Sequence, residues 1–362
     1  MVTQTSPAGP IRSFALLLQK WGGMAKFRHR PRLAGLLYRA ALLLDEDLPL
    51  SRRELAKARP RTANDVPHLN SVGIGTTGTC NASCVHCPTG KASTANSPRG
   101  TMPMDLFRKI IDGIVEEGVA INSHIAFGLF GDGLVDPLVV ERAQYLRAAL
   151  PDALFSVNTN GAAFNAVKHA PLYDHVTLLS LHCESLTPAT YDYLMTPLRA
   201  KNVFPKYEAI LKTFPGKVRV SVPVSRANRD EIEMMRAWFM DRGAHEVVFD
   251  PMSSRCMEDR SLYEKLSLSP ARIHCTSSVT RDLIIDCDGV VVPCCNDFAR
   301  EQPLGDLTKE SFRALMTNLQ RREFAAAMDA GKHDAIPLCS RCYGDVRTAN
   351  FPFDHPVVPL SA

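Results

Sequence analysis

The most informative segment of the chain is Cys80-Asn81-Ala82-Ser83-Cys84-Val85-His86-Cys87. Three thiolates at this spacing lie on one short loop and can bind a single metal centre. Three protein ligands would leave one iron of a four-iron cluster free for an outside ligand. A structural zinc site normally has a fourth protein ligand, and His86 is poorly placed for that role inside so tight a loop. The segment therefore predicts an iron–sulfur centre rather than zinc.

The chain as a whole has an ordinary globular composition. Its 362 residues include 42 basic and 38 acidic ones, and a net charge of +4 argues against a dedicated nucleic-acid-binding protein. The first ten residues lack the charged start and apolar run of a signal peptide. The apolar stretch around Leu36 to Leu44 is too short to span a membrane. We expect a cytoplasmic protein, in which 11 cysteines indicate metal binding or catalysis rather than disulfides.

Strand-like and helical segments alternate from about residue 71 to residue 255. The predicted strands are Ser71–Gly75, His124–Phe130, Leu154–Asn158, Val176–His182, Val218–Val224 and Glu246–Asp250. Repeated strand–helix units predict a parallel sheet with helices outside it. Six such units make an open or closed α/β barrel, whose chemistry gathers at the C-terminal ends of the strands.

The chain is expected to have four parts. Residues 1–70 predict a helical N-terminal extension, 71–258 the barrel, 259–345 a cysteine-rich subdomain and 346–362 a C-terminal tail. In the subdomain, Asp282–Pro293 predicts a hairpin and Lys309–Met328 a helix. This region is too small for a large core of its own, so we expect a bound metal to stabilise it.

A second set of cysteines lies in that subdomain. Cys275, Cys294, Cys339 and Cys342 would supply four protein ligands, with Cys295 as an alternative to its neighbour Cys294. A fully ligated cluster serves electron transfer or structure, because no iron is left open to a substrate. A four-cysteine zinc ribbon is the alternative, but it would not explain the first set.

The first motif resembles the CxxxCxxC signature of the radical S-adenosylmethionine (SAM) superfamily, which follows the first strand of a partial barrel. Gly131 and Asp132 lie in a segment similar to the family's Gly-Glu-Pro, with Asp132 where Glu is usual and Gly133 where Pro is usual. Thr159-Asn160-Gly161 resembles the family's Thr-Asn-Gly after the third strand. The resemblance implies the following SAM contacts: Gly131, Asp132 and Asn160, with Ser180, Arg199 and Ser221 as further candidates.

The second set resembles the twitch form of the SPASM extension. Thirteen residues separate Cys275 from Gly289, and four separate Gly289 from Cys294. The resemblance implies a partial (β/α)6 barrel with a helical N-terminal extension and a C-terminal twitch iron–sulfur subdomain. It also implies two [4Fe–4S] clusters and SAM as cofactors. In this family, reduction of the first cluster cleaves SAM, and the resulting 5′-deoxyadenosyl radical abstracts a hydrogen atom from the substrate.

Four cysteines lie outside both sets, and Cys183 is the most informative of them. It follows the strand Val176–His182, where many SPASM and twitch enzymes carry an Asp-Gly-like pair. A thiol there could return hydrogen to a carbon radical and so invert a stereocentre, as radical SAM epimerases do. Strand alternation puts Ser180 and His182 on one face and Cys183 on the other, so the thiol would have to turn inward through the loop. Cys256 is an alternative donor.

His182 and Glu184 flank the Cys183 thiol and could bind a substrate hydroxyl or act as a base. The whole pattern is most similar to the twitch epimerases of hygromycin B-type aminoglycoside biosynthesis. It implies inversion of a secondary carbinol of an aminoglycoside or pseudodisaccharide intermediate. The expected partners are that small molecule and a flavodoxin, ferredoxin or similar reductant, with no nucleic acid and no membrane.

Three other functions are alternatives to the epimerase. A twitch dehydrogenase would oxidise an aminocyclitol or sugar alcohol to a ketone. A peptide-modifying maturase would be expected to carry a peptide-recognition module, and residues 1–70 do not have a strand-rich pattern. An iron–sulfur electron carrier would not need a three-cysteine site with an open iron.

Overall fold

The computed structural model describes residues 10–27, 31–45, 51, 68–347 and 351–352. The chain forms two compact units, residues 1–65 with 347–354 and residues 66–346 with 355–362. In the first unit, helices α1 (Pro10–Phe27) and α2 (Pro31–Leu44) pack together through Ala15, Leu18 and Ala41. Most of the predicted C-terminal tail, including 353–362, lies outside the described residues.

The second unit consists of strands and helices that alternate along the chain. Its strands are β1 (His68–Ile74), β2 (Ala120–Phe127), β3 (Phe155–Thr159), β4 (Leu178–His182), β5 (Val218–Val224), β6 (Glu246–Pro251), β7 (Pro270–Arg272), β8 (Asp282–Ile285), β9 (Val290–Val292), β10 (Gly305–Asp306) and β11 (Tyr343–Asp345). Its α-helices are α3 (Met104–Glu116), α4 (Val139–Ala149), α5 (Ala166–His169), α6 (Pro188–Leu194), α7 (Ala200–Thr213), α8 (Ile232–Asp241), α9 (Ser261–Leu266), α10 (Phe312–Thr317), α11 (Leu319–Asp329) and α12 (Pro337–Ser340).

Strands β1 to β6 form a parallel sheet in chain order, each paired with the next. The strands are rich in branched apolar residues because helices cover the outer face of the sheet. In β5, for example, Val218, Val220 and Val222 are fully buried. Within the described residues, β6 pairs only with β5, so the barrel is open. The predicted partial barrel is therefore confirmed.

The C-terminal subdomain extends the sheet of the barrel. Strand β8 pairs in parallel with β1, from Ser71 opposite Asp282 to Ile74 opposite Ile285. Strands β8 and β9 form the predicted antiparallel hairpin, and Gly289 has a positive φ of 89° at its turn. A residue with a β-carbon rarely adopts this conformation. Among the described strands, nine thus form one sheet in the order β10-β9-β8-β1-β2-β3-β4-β5-β6.

The single helix expected over Lys309–Met328 is wrong, because the structure has two helices there. Asn318 has an extended backbone between α10 and α11. Its side-chain oxygen accepts from the Arg321 N–H at 2.9 Å, and its amide donates to the Leu304 carbonyl at 2.7 Å. Asn is a strong N-cap residue, so it starts a new helix here rather than continuing the first. No helix in the described ranges is long and apolar enough to cross a membrane.

A buried ion pair fixes the loop that follows β2. Arg142 on α4 donates from Nε to the Asp136 carboxylate at 2.8 Å, and both side chains are fully buried. The Arg142 guanidinium also donates to the Met102 carbonyl and lies 5.1 Å from the Phe107 ring centroid. The pair therefore ties the loop after β2 to the segment that precedes α3.

Replacing Arg142 by Leu is expected to lower the free energy of unfolding by about 3–5 kcal/mol, because it leaves the buried Asp136 carboxylate without a partner. Urea denaturation followed by circular dichroism measures this loss. Arg108→Leu is the matched control on the neighbouring helix, since Arg108 pairs with Glu141 at 3.4 Å and both side chains are 51% exposed. Its cost should stay below about 1 kcal/mol. Equal losses in the two variants would contradict this account.

Candidate functional site

The loop from Cys80 to Cys87 is held at the C-terminal end of β1 by the backbone of another element. The Ser83 N–H donates to the Thr196 carbonyl at 2.7 Å, and the Val85 N–H donates to the Leu194 carbonyl at 2.9 Å. Both acceptors lie at the end of α6. These two hydrogen bonds therefore tie the cysteine loop to the segment at the end of α6.

The thiols of this loop are close together and largely buried. Burial raises the pKa of Cys80 to about 12, helped by the negative charge of Asp132 and by Cys87. Burial also raises the pKa of Cys84 well above its usual value, with contributions from Glu184 and the other two cysteines. Metal-ligating cysteines must be deprotonated, so these thiols are expected to lose their protons only when a cationic centre binds.

The loops after β2 and β3 converge on this cysteine loop. The Asn160 amide donates to Asn81 Oδ1 at 2.7 Å and lies 3.8 Å from the Cys80 sulfur. Asp132 accepts from the Asn160 N–H at 2.7 Å and from the Thr159 hydroxyl at 2.9 Å. Its other close donor is the Leu134 N–H at 2.9 Å. Asp132 therefore joins the two loops, and the contact with SAM that the resemblance implies for it stays a prediction.

Gly131 lies against the backbone of Thr77 and Thr79, which lead into the cysteine loop. A β-carbon at Gly131 would lie 2.5 Å from the carbonyl oxygens of Thr77 and Thr79, which is shorter than any van der Waals contact. The chain can therefore pass under the cysteine loop only because this residue has no side chain. The sequence predicted Gly131 as a SAM contact, and the structure gives it a steric role in shaping the loop.

Polar side chains line the lumen, by which we mean the interior of the barrel at the C-terminal ends of β1 to β6. Ser221 on β5 donates to the Asp250 carboxylate at 2.6 Å. His182 is the register partner of Ser221 on β4. Burial lowers the pKa of His182 to about 4, although Asp250 opposes the shift. Ser180 is also buried on β4, and nothing in the structure places it or Ser221 against a specific SAM group.

Glu184 and His86 face each other in the lumen, with 3.6 Å between Glu184 Oε1 and His86 Nε2. Burial lowers the pKa of His86 to about 3, so the ring is neutral and the contact is not a salt bridge. Burial raises the pKa of Glu184 to about 8. Among the described residues, the second carboxyl oxygen of Glu184 has no hydrogen-bond partner, and it is buried. A buried orphan acceptor is costly unless a ligand satisfies it.

Arg255 is a lumen residue to which the sequence analysis gave no role. It follows β6, and its backbone has a positive φ of 51°. Its guanidinium lies 5.4 Å from the Phe298 ring centroid, and its charge acts on His86, His182 and Glu184. In the part of the chain that the structure describes, no carboxylate pairs with this guanidinium. Arg255 could have been predicted as a lumen residue from its place in the loop that follows β6, the last barrel strand.

The Cys183 thiol lies on the helix side of β4 rather than in the lumen. It is fully buried and donates to the Ser185 carbonyl at 3.3 Å. The same face of β4 carries Leu181, which packs near Tyr207 of α7, and Tyr207 also influences the pKa of the Cys183 thiol. Burial raises the pKa of Cys183, so the sulfur keeps its hydrogen.

Arg199 was predicted from the family resemblance to contact SAM. Its side chain is 57% exposed and pairs with Asp192 at 3.3 Å on the surface. The residue immediately precedes α7, whose N-terminus it flanks. Arg199 follows Leu194 and Thr196, whose carbonyls hold the cysteine loop, and its contact with SAM stays a prediction.

The second cysteine set surrounds a cavity of about 400 Å³. We call this the auxiliary cavity. All four predicted ligands line it, and so do two further cysteines: Cys256, Cys275, Cys294, Cys295, Cys339 and Cys342. Cys294 and Cys295 both line the cavity, so the choice between them stays open. Cys287 is buried and is not among the lining residues.

Both cysteine sets fit iron–sulfur clusters better than single metal ions. In the described ranges, no three His, Cys, Asp or Glu side chains converge closely enough for one ion. A four-iron cluster holds its thiolates further apart than a single ion does. The donors are almost all sulfur, which favours iron–sulfur clusters over hard cations. The residues present therefore fit such clusters at both places.

Residues 275–343 match the family profile of SPASM, described as an iron–sulfur cluster-binding domain. The match begins at Cys275 and includes every residue of the auxiliary cavity that was predicted as a ligand. A comparison with curated protein sequences gives no significant match.

Several solved structures share the fold at low sequence identity. BtrN in complex with AdoMet and 2-DOIA has a TM-score of 0.53 and 15% identity, over 76% of this chain and 92% of BtrN. Streptococcus suis SuiB bound to precursor peptide SuiA has a TM-score of 0.57 and 11% identity, over 80% of this chain and 72% of SuiB.

A third similar structure is anSMEcpe with bound AdoMet and a Kp18Cys peptide, with a TM-score of 0.55 and 15% identity over 73% of this chain and 84% of that one. At these identities the likeness establishes the fold. The comparisons thus show a SPASM iron–sulfur cluster-binding domain at residues 275–343 and a fold shared with these three structures.

Proposed function

We propose that the protein is a radical SAM epimerase that inverts a secondary carbinol of an aminoglycoside or pseudodisaccharide intermediate of the hygromycin B type. The observation that carries the radical SAM part is the convergence of the Cys80–Cys87 loop with Asp132 and Asn160 at one end of the barrel. Cys80, Cys84 and Cys87 would hold a [4Fe–4S] cluster with one iron free for SAM. When bound, the cluster and SAM would supply a 5′-deoxyadenosyl radical that abstracts the carbinol hydrogen.

Cys183 is the proposed hydrogen donor. Its S–H bond would break and a C–H bond would form on the opposite face of the substrate carbon, which leaves a thiyl radical on the sulfur. One electron and one proton then restore the thiol, and the electron comes from a one-electron carrier such as a flavodoxin or ferredoxin. Because the thiol points towards Tyr207, the loop of Cys183–Thr187 must turn the side chain into the lumen when substrate binds.

The lumen supports a small polar substrate with hydroxyl and amino groups. The orphan oxygen of Glu184 would accept a hydrogen bond from a substrate hydroxyl or ammonium group. The guanidinium of Arg255, for which the described residues supply no carboxylate partner, would donate to substrate hydroxyl oxygens. BtrN, which shares the fold, was solved with the small molecule 2-DOIA and AdoMet bound.

One observation favours a dehydrogenase instead. Cys183 is hydrogen-bonded on the helix side, and without an inward-facing donor the substrate radical would lose a proton and an electron and become a ketone. The auxiliary cavity lies beside the barrel in the same compact unit and its cluster fits the role of electron acceptor.

Incubation of the reconstituted, reduced protein with SAM and a candidate aminoglycoside intermediate in deuterated water separates the two reactions. The thiol hydrogen exchanges with solvent, so an epimerase is expected to give an inverted product carrying one deuteron on the carbinol carbon. Mass spectrometry and NMR locate that deuteron. A product two hydrogens lighter would establish the dehydrogenase. Absence of 5′-deoxyadenosine with every candidate would contradict the radical SAM assignment itself.

A further inference from the structure

Cys256 lies in the auxiliary cavity although it belongs to the barrel. It follows β6 and precedes residue 275, where the SPASM match begins. The side chain is 4% exposed and packs with Leu338 and Cys342. Cys256 and Cys342 thus lie side by side in one buried cluster at the auxiliary cavity. The sequence offered Cys256 as an alternative hydrogen donor to substrate. In the structure its neighbour is instead Cys342, a predicted ligand of the auxiliary cluster.

Hydrogen bonds between residues 254–256 and 341–343 hold Cys256 next to Cys342. The Ser254 N–H donates to the Tyr343 carbonyl at 2.8 Å, and the Ser254 hydroxyl donates to the Arg341 carbonyl at 3.0 Å. Arg341 in turn donates from Nε to the Cys256 carbonyl at 3.2 Å. The segment after β6 and the loop that carries Cys342 are therefore joined from both sides.

The backbone of two consecutive residues, Arg255 and Cys256, is in the left-handed region, and this turn sets the directions of their side chains. Arg255 and Cys256 have φ values of 51° and 55°, a conformation that costs energy for residues with a β-carbon. The turn places the Arg255 charge near Glu184 in the lumen and the Cys256 thiol in the auxiliary cavity. The strain is compensated by the hydrogen bonds that Ser254 and Arg341 make around the turn.

Cys256 is not needed as an iron ligand, because the SPASM segment supplies Cys275, Cys294 or Cys295, Cys339 and Cys342 to the same cavity. Its thiol lies beside Cys342, where it can donate a hydrogen bond to the sulfur of that ligand. Once Cys342 binds iron, its sulfur has no proton to give and can only accept. The four ligand positions are already filled by the residues of the SPASM segment.

We propose that the Cys256 thiol donates a hydrogen bond to the iron-bound sulfur of Cys342 and makes the auxiliary cluster easier to reduce. A reduced cluster carries more negative charge, part of it on the ligating sulfurs, and a donor stabilises that charge. Cys256 would thus act on the cluster through the sulfur of Cys342. The inference rests on an iron–sulfur cluster at the auxiliary cysteines and does not depend on epimerisation.

The test uses the full chain with Cys80, Cys84 and Cys87 replaced by Ala, so that the auxiliary cluster is the only iron centre. The iron content and the midpoint potential, from an EPR-monitored redox titration, are compared between this parent and its Cys256→Ala, Cys256→Ser and Cys287→Ala derivatives. Cys287 is the matched control because it is buried outside the cavity lining. No SAM or substrate is present, so failure of the proposed reaction cannot affect the result.

Cys256→Ala is expected to keep the iron of the parent and to shift the midpoint potential to more negative values. Cys256→Ser, which keeps a donor of similar size, should return most of that shift, and Cys287→Ala should show none. Loss of iron in both Cys256 variants would make this residue a ligand and overturn the proposal. An unchanged potential in Cys256→Ala, or an equal shift in Cys287→Ala, would also overturn it.

Discussion

Replacing Cys84 by Ala is expected to abolish formation of 5′-deoxyadenosine and to lower the iron content from about eight to about four atoms per chain. Cys84 is the middle ligand of the loop, and its sulfur lies 3.6 Å from the Met195 sulfur at the end of α6. Two thiols cannot hold a four-iron cluster tightly, so one cluster is lost and the other stays. Iron analysis and chromatography of SAM cleavage products measure the two effects.

The matched control for this variant is Cys287→Ala, because Cys287 is a buried cysteine outside both ligand sets. It should retain about eight irons per chain, as two four-iron clusters require, and it should still cleave SAM. If Cys84→Ala kept its full iron content, the first cysteine loop would not be a cluster site. If it lost all the iron, the two sites would be coupled rather than independent.

Replacing Cys183 by Ala is expected to remove the inverted product while leaving formation of 5′-deoxyadenosine intact. The donor is lost, but the residues that hold the first cluster and SAM are untouched. Product formation is measured by NMR, and 5′-deoxyadenosine by chromatography of the same reaction. A parental rate of epimerisation in this variant would show that the hydrogen comes from another group.

Cys183→Ser separates a chemical role from a structural one. The hydroxyl can still donate to the Ser185 carbonyl, as the thiol does at 3.3 Å, so the packing of β4 against α7 is preserved. An O–H bond gives up its hydrogen atom to a carbon radical far less readily than an S–H bond. Cys183→Ser should therefore fail in the same way as Cys183→Ala. Recovery of epimerisation in the serine variant would mean that Cys183 acts only through packing.

Much of the barrel was readable from the sequence because each strand has a local pattern. The segment Val218–Val224 coincides with β5, and the hairpin around Gly289 forms where the turn residues predict it. Helix boundaries were less certain, as Asn318 shows, because a capping side chain can end a helix inside a periodic stretch. The expected N-terminal helices begin at Pro10 and Pro31, within the first compact unit.

The candidate site was only partly readable. Spacing alone grouped Cys80, Cys84 and Cys87, since ligands on one loop are neighbours in the chain. Spacing also selected the SPASM cysteines. It could not show that Cys256 joins them, because that contact depends on how the end of β6 pairs with the segment after Cys342. It also assigned Arg199 to SAM binding, which stays a prediction, and in the structure this side chain pairs with Asp192 at the surface.

The sequence by itself determined the chemistry of this protein, that is, which sulfurs could bind iron and how many each loop supplies. Tertiary structure decided which way each side chain faces and which residues from distant segments meet. The reason is that a ligand motif is local, whereas side-chain direction at the end of a strand depends on register and on the helices packed behind it. The division is clearest at the end of β4, where Glu184 faces the lumen beside His86 and the preceding Cys183 faces Tyr207.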